Sequence, residues 1–442
     1  MSQDFQSPVL QELSWRGFIY QITHDELDDA LNQGSLTLYC GFDPTARSLH
    51  VGNLVSVMGL AHFFRHGHKP LALVGGATGL IGDPSGKDQE RELLSRDKLD
   101  ENVAAIRDQL GLLLRRAATH HGEADPADVD DRLKVVNNAD WLSTWSYIDF
   151  LRDVGKNFRV NHMLQKESVR ARLEEREQGI SYTEFSYMLI QAFDFLHLRQ
   201  TEGCRLQVGG SDQWGNITAG TDLIKRKTGE SAFGLSFPLI TNAEGKKFGK
   251  SEKGAVFLDA ELTSPYEFYQ YWVNQQDDDC GALLRTFTFL PREEIEALEA
   301  TITAGENRGE VQRKLAYELT SFIHGADEAD KVLRASRMLF GEPIDGMTDR
   351  DLAQIFAEVP STEIPRDRLT SGELGLIDAL VESGLQSSKG NARRLVQQGG
   401  AYINNHQEDA IDRVLSESDL ASETMLVLRS GKKKYHLLRF TS

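Results

Sequence analysis

The chain contains little cysteine and no long hydrophobic segment. Its three cysteines, Cys40, Cys204 and Cys280, are widely separated and form no CxxC pair, which favours a reducing compartment and argues against a zinc site. No run of eighteen apolar residues occurs, and the N-terminal sequence MSQDFQSPVLQEL has neither the basic region nor the apolar segment of a signal peptide. We therefore expect a cytoplasmic protein with no bound structural metal and no membrane partner.

Positive charge is also scarce. The sequence has 49 Lys and Arg against 67 Asp and Glu, a net charge of −18, which by itself disfavours a nucleic-acid partner. The deficit is uneven, because residues 371–442 hold nine charges of each sign and leave 40 basic against 58 acidic residues elsewhere. This tail gathers its cations in two clusters: Lys389, Arg393 and Arg394, then Lys432, Lys433 and Lys434. The clusters predict RNA binding, with a solvated run of charge as the alternative.

The first half of the chain alternates short apolar runs with amphipathic stretches. At 442 residues the chain exceeds the usual size of one hydrophobic core, so we expect two or three domains. The alternation predicts an α/β fold with an open parallel sheet. The predicted strands are 36–40, 71–74, 133–136, 206–209 and 237–241. Ligands bind at the carboxyl ends of such strands, where several polar and glycine-rich motifs follow the apolar runs.

The pattern changes after residue 250. From residue 264 to about 341 the period is helical, with Ser264 as a helix cap and Pro265 in the first turn. The prolines and weak periodicity of 342–371 predict a linker. Beyond it, an arginine-bearing helix is predicted to end at Gly399-Gly400 and turn into a strand. The predicted domains are 1–250 (α/β), 251–341 (helical), 342–371 (linker) and 372–442 (small α+β).

Two short motifs together predict an ATP site. HVGN at 50–53 lies between an apolar strand and a helical stretch, where free backbone N–H groups and the helix dipole favour a phosphate. Gly52 would allow a close approach of the nucleotide, and His50 adds a hydrogen-bond donor. KFGKS at 247–251 places two lysines three residues apart around a glycine in a polar stretch.

The pair resembles the HIGH and KMSKS signatures of class I aminoacyl-tRNA synthetases. Asn53 stands in place of the last histidine of HIGH, and Phe248-Gly249 in place of the Met-Ser of KMSKS. The stretches 39–45 (YCGFDPT), 75–87 (GGATGLIGDPSGK), 187–194 (YMLIQAFD) and 209–216 (GGSDQWGN) narrow the resemblance to bacterial tyrosyl-tRNA synthetases, over essentially the whole chain.

The resemblance implies a Rossmann-like catalytic domain, an α-helical anticodon-side domain and an S4-type RNA-binding domain. It implies that the chain, as a homodimer, activates L-tyrosine with ATP and Mg²⁺ and transfers tyrosine to tRNA(Tyr). An ionised carboxylate that attacks the α-phosphate needs positioned cations and N–H donors rather than a protein base. The catalytic residues implied are Thr45, His50, Lys87, Arg91, Lys247, Lys250 and Ser251.

The amino acid must be held at both ends. By resemblance, Tyr39 and Asp194 bind the phenolic hydroxyl, and the ammonium group is bound around Asp83, Tyr187 and Gln191. The spacing of Tyr187, Gln191 and Asp194 places them on one face of a helix. The complete tyrosine set is Tyr39, Thr78, Asp83, Tyr187, Gln191, Asp194 and Gln213. The ATP set is Gly41, Asp43, His50, Gly52, Asn53, Gly210, Asp212 and Lys250.

Four other interpretations can be weighed. The glycines of 75–82 do not fit a dinucleotide fingerprint, because Ala77 occupies its middle position. His62, His66 and His68 could suggest a metal site but have no partner at ligand spacing, and we expect them at the exposed end of a helix. A non-catalytic RNA-binding protein would not need the motif lysines and histidine. Tryptophanyl-tRNA synthetase would share the sheet but lack the tail and the Tyr39/Asp194 pair.

Overall fold

The structure is a computed structural model that describes most of the chain. It describes residues 4–85, 94–120, 126–166, 169–170, 173, 179–240, 248–251, 254–305, 309–339, 341–344, 346–356, 359–431 and 434–441. The chain divides into two compact units, residues 1–326 and 327–442. Within these described ranges, no helix has the length and apolar character needed to cross a membrane.

The first unit is built around a mostly parallel sheet. Its described strands are β1 Gln21–Ile22, β2 Thr37–Phe42, β3 Lys69–Val74, β4 Lys134–Asn137, β5 Leu206–Gly210 and β6 Phe233–Phe237. They lie in the order β1-β6-β5-β2-β3-β4, and only β1, at the edge, runs antiparallel to its neighbour in this described sheet. The strand order reverses between β2 and β5, which is where an open α/β sheet forms its ligand crevice.

Helices surround this sheet and continue beyond it. They are α1 Pro8–Arg16, α2 Glu26–Asn32, α3 Leu54–Arg65, α4 Arg96–Thr119, α5 Pro126–Arg132, α6 Ala139–Leu142, α7 Tyr147–Asp153, α8 Val160–Leu164, α9 Tyr182–Glu202, α10 Trp214–Thr228, α11 Pro265–Val273, α12 Asp277–Phe287, α13 Arg292–Thr303 and α14 Glu310–His324. The short strands β7 Lys250–Ser251 and β8 Gly254–Ala255 pair with each other. A capping box between Ser181 and Glu184 starts α9, and Gly203, with φ 65°, ends it.

The predicted parallel sheet is confirmed, with one strand misplaced. The fifth strand ends at Phe237 instead of beginning there. Pro238 follows directly, and a proline has no N–H to donate to a sheet ladder. The predicted helix after Ser264 is also confirmed, since Ser264 and Glu267 form a capping box and Pro265 occupies the first turn.

Residues 251–326 belong to the same compact unit as the sheet. Arg16 of α1 is only 4% exposed, and its guanidinium donates hydrogen bonds to three backbone carbonyls in the last turn of α12 and in the loop that leads to α13. The carbonyls are those of Arg285 (2.8 Å), Thr288 (2.9 Å) and Leu290 (2.8 Å). Three charge-assisted bonds to backbone oxygens fix α1 against the helical part of the chain.

The second unit contains a sheet covered by helices on both faces. Its described strands are β9 Ser361–Pro365, β10 Ala401–Ile403, β11 His406–Glu408, β12 Met425–Ser430 and β13 Lys434–Thr441, in the order β11-β10-β12-β13-β9. Its helices are α15 Ala326–Leu339, α16 Asp349–Ile355, α17 Asp367–Thr370, α18 Leu376–Glu382 and α19 Lys389–Gln397. Alternate residues of β12 face two cores, with Leu426 packed beside α18 and α19 and Val427 beside α15 and α16.

The segment 342–371, for which a linker was predicted, contains α16, β9 and α17. β9 pairs in parallel with β13, with Ile364 opposite Phe440. Two of the three prolines of this segment lie at the edges of β9, since Pro360 precedes the strand and Pro365 ends it, which a sheet tolerates. The arginine-bearing helix α19 ends at Gln397, directly before the predicted glycine turn, in which Gly399 has φ 67° and leads into β10.

Candidate active site

A cavity of about 380 Å³ lies at the carboxyl ends of β2, β5 and β6. It brings together most of the residues that the sequence singled out. The tyrosine set lines it completely, with Tyr39, Thr78, Asp83, Tyr187, Gln191, Asp194 and Gln213. The lining also includes Thr45 and, from the ATP set, Gly41, Asp43, His50, Gly52, Asn53, Gly210 and Asp212.

The inner end of the cavity holds two buried polar groups, Tyr39 on β2 and Asp194 on α9, each 1% exposed. The Asp194 carboxylate accepts hydrogen bonds from the Asn138 amide at 3.0 Å and the Trp141 indole at 2.8 Å. Among the described residues, the Tyr39 hydroxyl has no hydrogen-bond partner. A donor and an acceptor are thus buried at the same place, which suits a phenol.

Burial governs the ionisation of this pair. It raises the pKa of Asp194 to about 7, against the opposing effect of the hydrogen bonds from Asn138 and Trp141. It also raises the pKa of Tyr39 well above its ordinary value, and the neighbouring charge of Asp194 adds to the effect. Tyr39 therefore keeps its proton and can donate it.

A chain of hydrogen bonds continues from this pair along the cavity wall. The Asn138 amide also donates to Thr78 at 3.1 Å, and the Thr78 hydroxyl donates to Asp43 at 2.9 Å. The Tyr187 hydroxyl donates to the other oxygen of Asp43 at 3.0 Å. Burial, and then the charge of Asp43, raises the pKa of Tyr187 well above its ordinary value. The predicted helix face is confirmed, because Tyr187, Gln191 and Asp194 all line the cavity from α9.

Asp83 provides a second carboxylate in the wall. One oxygen accepts a hydrogen bond from Gln213 at 2.6 Å, and the other accepts the backbone N–H of Ser85 at 2.9 Å. The Asn216 amide in turn donates to Gln213 at 3.1 Å. The Gln191 side-chain oxygen is buried with no hydrogen-bond partner among the described residues. These acceptors are of the kind that bind an ammonium group.

The HVGN motif forms the outer end of the cavity. After β2, a short 3₁₀ turn at Val51–Asn53 leads directly into α3. His50 Nδ1 accepts the Gly52 N–H at 3.0 Å, and the Asn53 side chain accepts the His50 N–H at 3.0 Å. Because Nδ1 is an acceptor, the neutral ring carries its proton on Nε2. A Cβ at Gly52 would lie 2.9 Å from the His50 ring, so this position requires glycine.

The second motif touches the first across about two hundred residues of sequence. Gly249 has φ +88°, and a Cβ there would lie 2.9 Å from the Gly52 nitrogen. The Val256 N–H donates to the Gly249 carbonyl at 3.1 Å, and the Val256 carbonyl accepts the Val51 N–H at 2.9 Å. The backbones of HVGN and KFGKS are therefore in direct contact at the mouth of the cavity.

Several predicted site residues fall outside this description. Lys87, Arg91 and Lys247 lie outside the described residues, as do Lys432 and Lys433 of the tail. Lys250 and Ser251 are described in their backbone only, as strand β7. In the tail, Lys389, Arg393, Arg394 and Lys434 are exposed, and Lys389 forms an ion pair with Asp378 at 2.5 Å. The roles assigned to these side chains stay predictions.

Sequence reasoning missed three residues of the inner end. Asn138 and Trp141, which hold Asp194, follow β4 directly, and their position after a predicted strand was the available signal. Gln207 pairs with Tyr39 across β5 and β2 and is 2% exposed. Its side-chain oxygen has no hydrogen-bond partner in the described part of the chain. A glutamine inside an apolar strand was the signal in that case.

The prediction that the histidine cluster lies at an exposed helix end is wrong for two of its members. His62 is buried with its ring 5.6 Å from Phe18 and 5.5 Å from Phe289, and burial lowers its pKa well below the usual range. His68 accepts the Leu36 N–H at 3.2 Å, and burial lowers its pKa to about 4. Within the described residues, no group of three or more His, Cys, Asp or Glu side chains is placed to hold a metal.

Comparison with known proteins assigns the family. Residues 31–341 match the model of class I tRNA synthetases (W and Y), and residues 351–438 match the tyrosine–tRNA ligase SYY-like C-terminal domain. Over 431 residues the chain is 49% identical to a tyrosine–tRNA ligase of Roseiflexus castenholzii, covering 98% of this chain and 99% of that one. The chain belongs to the tyrosyl-tRNA synthetases.

Two further relatives support this membership and the fold. A tyrosine–tRNA ligase of Geobacillus stearothermophilus is 47% identical over 434 residues, with 98% of this chain and 99% of that one covered. A C-terminally truncated mitochondrial tyrosyl-tRNA synthetase of Aspergillus nidulans superimposes with a TM-score of 0.68 at 34% identity, covering 76% of this chain and 94% of that one. The Rossmann-like class I fold predicted for the synthetase is thereby confirmed.

Proposed function

We propose that the cavity at the ends of β2 and β5 is where this tyrosine–tRNA ligase forms tyrosyl-adenylate. The enzyme activates L-tyrosine with ATP, releases pyrophosphate and then transfers tyrosine to the 3′ end of tRNA(Tyr). The observation that carries the proposal is the placement of the buried Tyr39/Asp194 pair in one cavity with the contact between HVGN and KFGKS. We place the reaction in the cytoplasm, which suits the three free cysteines, all of them in described residues.

The inner end recognises the amino acid. The Tyr39 hydroxyl donates a hydrogen bond to the phenolic oxygen of the substrate, and Asp194 accepts one from the phenolic O–H. Around the ammonium group, Asp83, Tyr187 and Gln191 offer oxygen acceptors, and Thr78 and Gln213 hold the carboxylates in place. Phenylalanine would leave Tyr39 and Asp194 buried and without a ligand partner, which costs binding energy.

The outer end binds ATP and assists the reaction. The ionised carboxylate of tyrosine attacks the α-phosphorus, a new C–O–P bond forms, and the bond to the bridging oxygen breaks so that pyrophosphate leaves with the electron pair. His50 Nε2–H and Thr45 donate to the α-phosphate near the N-terminus of α3. Lys87, Arg91, Lys247, Lys250 and Ser251 are assigned to the departing pyrophosphate.

Mg²⁺ is proposed to enter with ATP. The carboxylate oxygens of Asp43 and Asp83 already accept hydrogen bonds from protein groups, so they do not form a dedicated cation cage. Mg²⁺ commonly binds through substrate phosphates and one or two carboxylates. When bound there, it would neutralise charge on the phosphates, while His50 and Thr45 orient the α-phosphate.

Amino-acid-dependent exchange of pyrophosphate into ATP tests the activation step. We expect exchange with tyrosine and none with tryptophan, with phenylalanine or without an amino acid, because only tyrosine presents a phenolic hydroxyl to Tyr39 and Asp194. Exchange that is independent of tyrosine, or equal with tryptophan, would contradict the proposal.

We assign tRNA binding to the second unit, through the cations of α19 and the 432–434 cluster. The exposed Arg393 and Arg394 lie on one helix of this unit, whereas the rest of the chain is acidic. A chain that ends at Gly325 should keep tyrosine activation and lose most of its tRNA affinity in a filter-binding titration. Equal affinity of the two chains would remove the second unit from RNA binding.

Two double variants sharpen this test in the full chain. Replacing Arg393 and Arg394 with Gln should weaken tRNA binding and lower its salt slope by about 0.7–0.9 for each RNA phosphate that is no longer neutralised. The matched control replaces Arg366 and Arg368, which form ion pairs with Glu417 and Glu382 in the same unit. The control should leave the slope unchanged, and equal effects of both double variants would refute the assignment to α19.

A homodimer is proposed to form through a surface that includes α7, α8 and the start of α9. Among the residues that the structure describes, six large apolar side chains between positions 147 and 182 are exposed: Tyr147, Ile148, Val160, Leu164, Leu173 and Tyr182. The hydroxyls of Tyr147 and Tyr182 lie 3.0 Å apart, so these two exposed residues are neighbours although 35 positions separate them in the sequence. Clustered apolar exposure is typical of protein interfaces, and twofold dimers are the commonest soluble assembly.

Sedimentation of charged variants tests the dimer. Ile148→Asp should shift the protein to a monomer, because Ile148 is 70% exposed in this cluster. Leu112→Asp, at a 47% exposed position on α4, is the control and should leave the mass unchanged. Identical masses for both variants would rule out this surface.

A further inference from the structure

We propose that the Tyr271 hydroxyl is a positioning group for tyrosine activation, because it holds the Gly249 N–H and seats the KFGKS motif against HVGN. The inference rests on the proposed function of the cavity. Tyr271 lies on α11, outside both motifs, and none of the residues assigned to the chemistry from the sequence belongs to that helix.

The contact is a direct hydrogen bond. The Gly249 backbone N–H donates to the Tyr271 hydroxyl oxygen at 3.1 Å. Burial raises the pKa of Tyr271 to about 12, so the hydroxyl is neutral at physiological pH. The ring itself is fixed by aromatic packing, with ring centres 5.2 Å from Trp272 and 5.8 Å from Phe248. The acceptor is therefore presented from a rigid helix.

The N–H, the carbonyl and the Cα of Gly249 are all in close contact with other residues. Its N–H is bound by Tyr271, its carbonyl accepts from Val256, and its Cα faces the Gly52 nitrogen too closely to admit a side chain. Lys250 is the next residue along the chain, so the position of the Gly249 backbone determines where this lysine begins. A small displacement of a group that acts on the leaving pyrophosphate lowers the rate without affecting tyrosine binding at the other end of the cavity.

The two residues by which this motif differs from KMSKS, Phe248 and Gly249, both contact their surroundings in ways that fit the Tyr271 hydrogen bond. Phe248 packs at 5.8 Å and 18° against the Phe287 ring and at 5.5 Å from Trp272. A φ of +88° at residue 249 favours glycine over the serine of the common pattern. Phe248, Gly249 and Tyr271 thus form one contact set, in which the hydroxyl contributes the hydrogen bond.

Tyr271→Phe tests the inference because it removes only the hydroxyl oxygen. We expect the rate of tyrosyl-adenylate formation, at saturating tyrosine and ATP, to fall about three- to tenfold, the value of one neutral hydrogen bond. The tyrosine Kd from equilibrium dialysis should stay unchanged. Transfer of tyrosine from preformed adenylate to tRNA should also keep its rate, because pyrophosphate has already left. The control is Tyr269→Phe, which removes a hydroxyl from a fully buried tyrosine of the same helix.

The possible results separate three conclusions. Activation at the normal rate in Tyr271→Phe would overturn the inference. Equal slowing of activation and transfer, or a loss of tyrosine affinity together with a lower Tm, would show a general structural role and overturn it as well. Lys250→Ala is measured in parallel; if it activates tyrosine normally, the proposed role of KFGKS fails, and the inference fails with it.

Discussion

The two ends of the cavity are built from different chemical groups. At the inner end, side chains contact side chains: Asp194 is bonded to Asn138 and Trp141, and Thr78 and Tyr187 are bonded to Asp43. At the outer end, backbone groups take part in each contact: Gly249 meets Gly52, and the His50 and Asn53 side chains accept backbone N–H groups. Amino-acid recognition therefore depends on which atoms the side chains carry. The nucleotide end also depends on two glycines, Gly52 and Gly249, at which an added side chain would not fit.

This difference predicts that mutations at the two ends affect different measured quantities. Removing a side chain at the inner end leaves a buried partner unsatisfied, which should show as reduced affinity for tyrosine. The glycines at the outer end have no side chain to remove, so the informative change at these two positions is an added methyl group, which should show as a reduced rate.

Asp194→Ala should give the largest effect. We expect tyrosine affinity to fall about a hundredfold, because the phenol loses a charged acceptor and the donors Asn138 and Trp141 lose their partner. The affinity for ATP should not change. Equilibrium dialysis measures both, with circular dichroism to confirm folding and Asp222→Ala, at an exposed carboxylate of α10, as the control. A folded Asp194→Ala protein with normal tyrosine affinity would remove Asp194 from the site.

Gly249→Ala should have a smaller effect, and on the rate of activation instead of on tyrosine affinity. The methyl group would force apart the Gly249 and Gly52 backbones. The left-handed backbone conformation alone would cost the alanine about 1–2 kcal/mol. We therefore expect kcat for activation to fall about thirtyfold at unchanged tyrosine affinity. Gly203→Ala is the matched control, since φ there is +65° but no described atom lies within 4 Å of the added carbon. That control should lower Tm without lowering kcat. A normal kcat in Gly249→Ala would mean that the contact between the motifs does not matter.

Lowering the pH should weaken tyrosine binding by a still smaller factor. With a pKa of about 7, Asp194 is mostly ionised at pH 8 and mostly protonated at pH 6, so the tyrosine Kd should rise about tenfold over this interval. Because this pKa is raised on folding, the contribution of Asp194 to stability runs the other way and increases as the pH falls from about 7 towards 4. Dialysis at pH 6, 7 and 8 measures the Kd, and a flat profile would exclude the titration of Asp194.

Part of this site could be read from the sequence because its signals are local. HVGN and the α9 triad of Tyr187, Gln191 and Asp194 each lie within one strand-to-helix turn or one helix face. The roles of Asn138 and Trp141 depend instead on the pairing of β3 with β4, which brings the end of β4 beside α9. No local pattern contains that information.

The distinction between local sequence signals and long-range contacts also explains why the segment 342–371 was predicted to be a linker. Proline predicted a linker at 342–371, but the pairing of β9 with β13 is a long-range contact that outweighs local preference. The Gly249 N–H donates to the Tyr271 hydroxyl, and Gly249 has a φ of +88°, a backbone conformation that the residue types permit without specifying. Long-range packing and backbone conformation were thus the two kinds of information that residue patterns did not carry.

The buried contacts of Arg16 also constrain the order in which the protein can fold during synthesis. Its three carbonyl partners lie 269 to 274 residues further along the chain. A nascent chain of 250 residues would contain HVGN and every residue assigned to activation except Ser251, the last residue of KFGKS. It would lack the acceptors of Arg16 and the Tyr271 hydroxyl. Contacts of such high sequence separation form late, after the entropy of closing a long loop has been overcome. The activating unit should therefore become functional only after the ribosome has added its helical part.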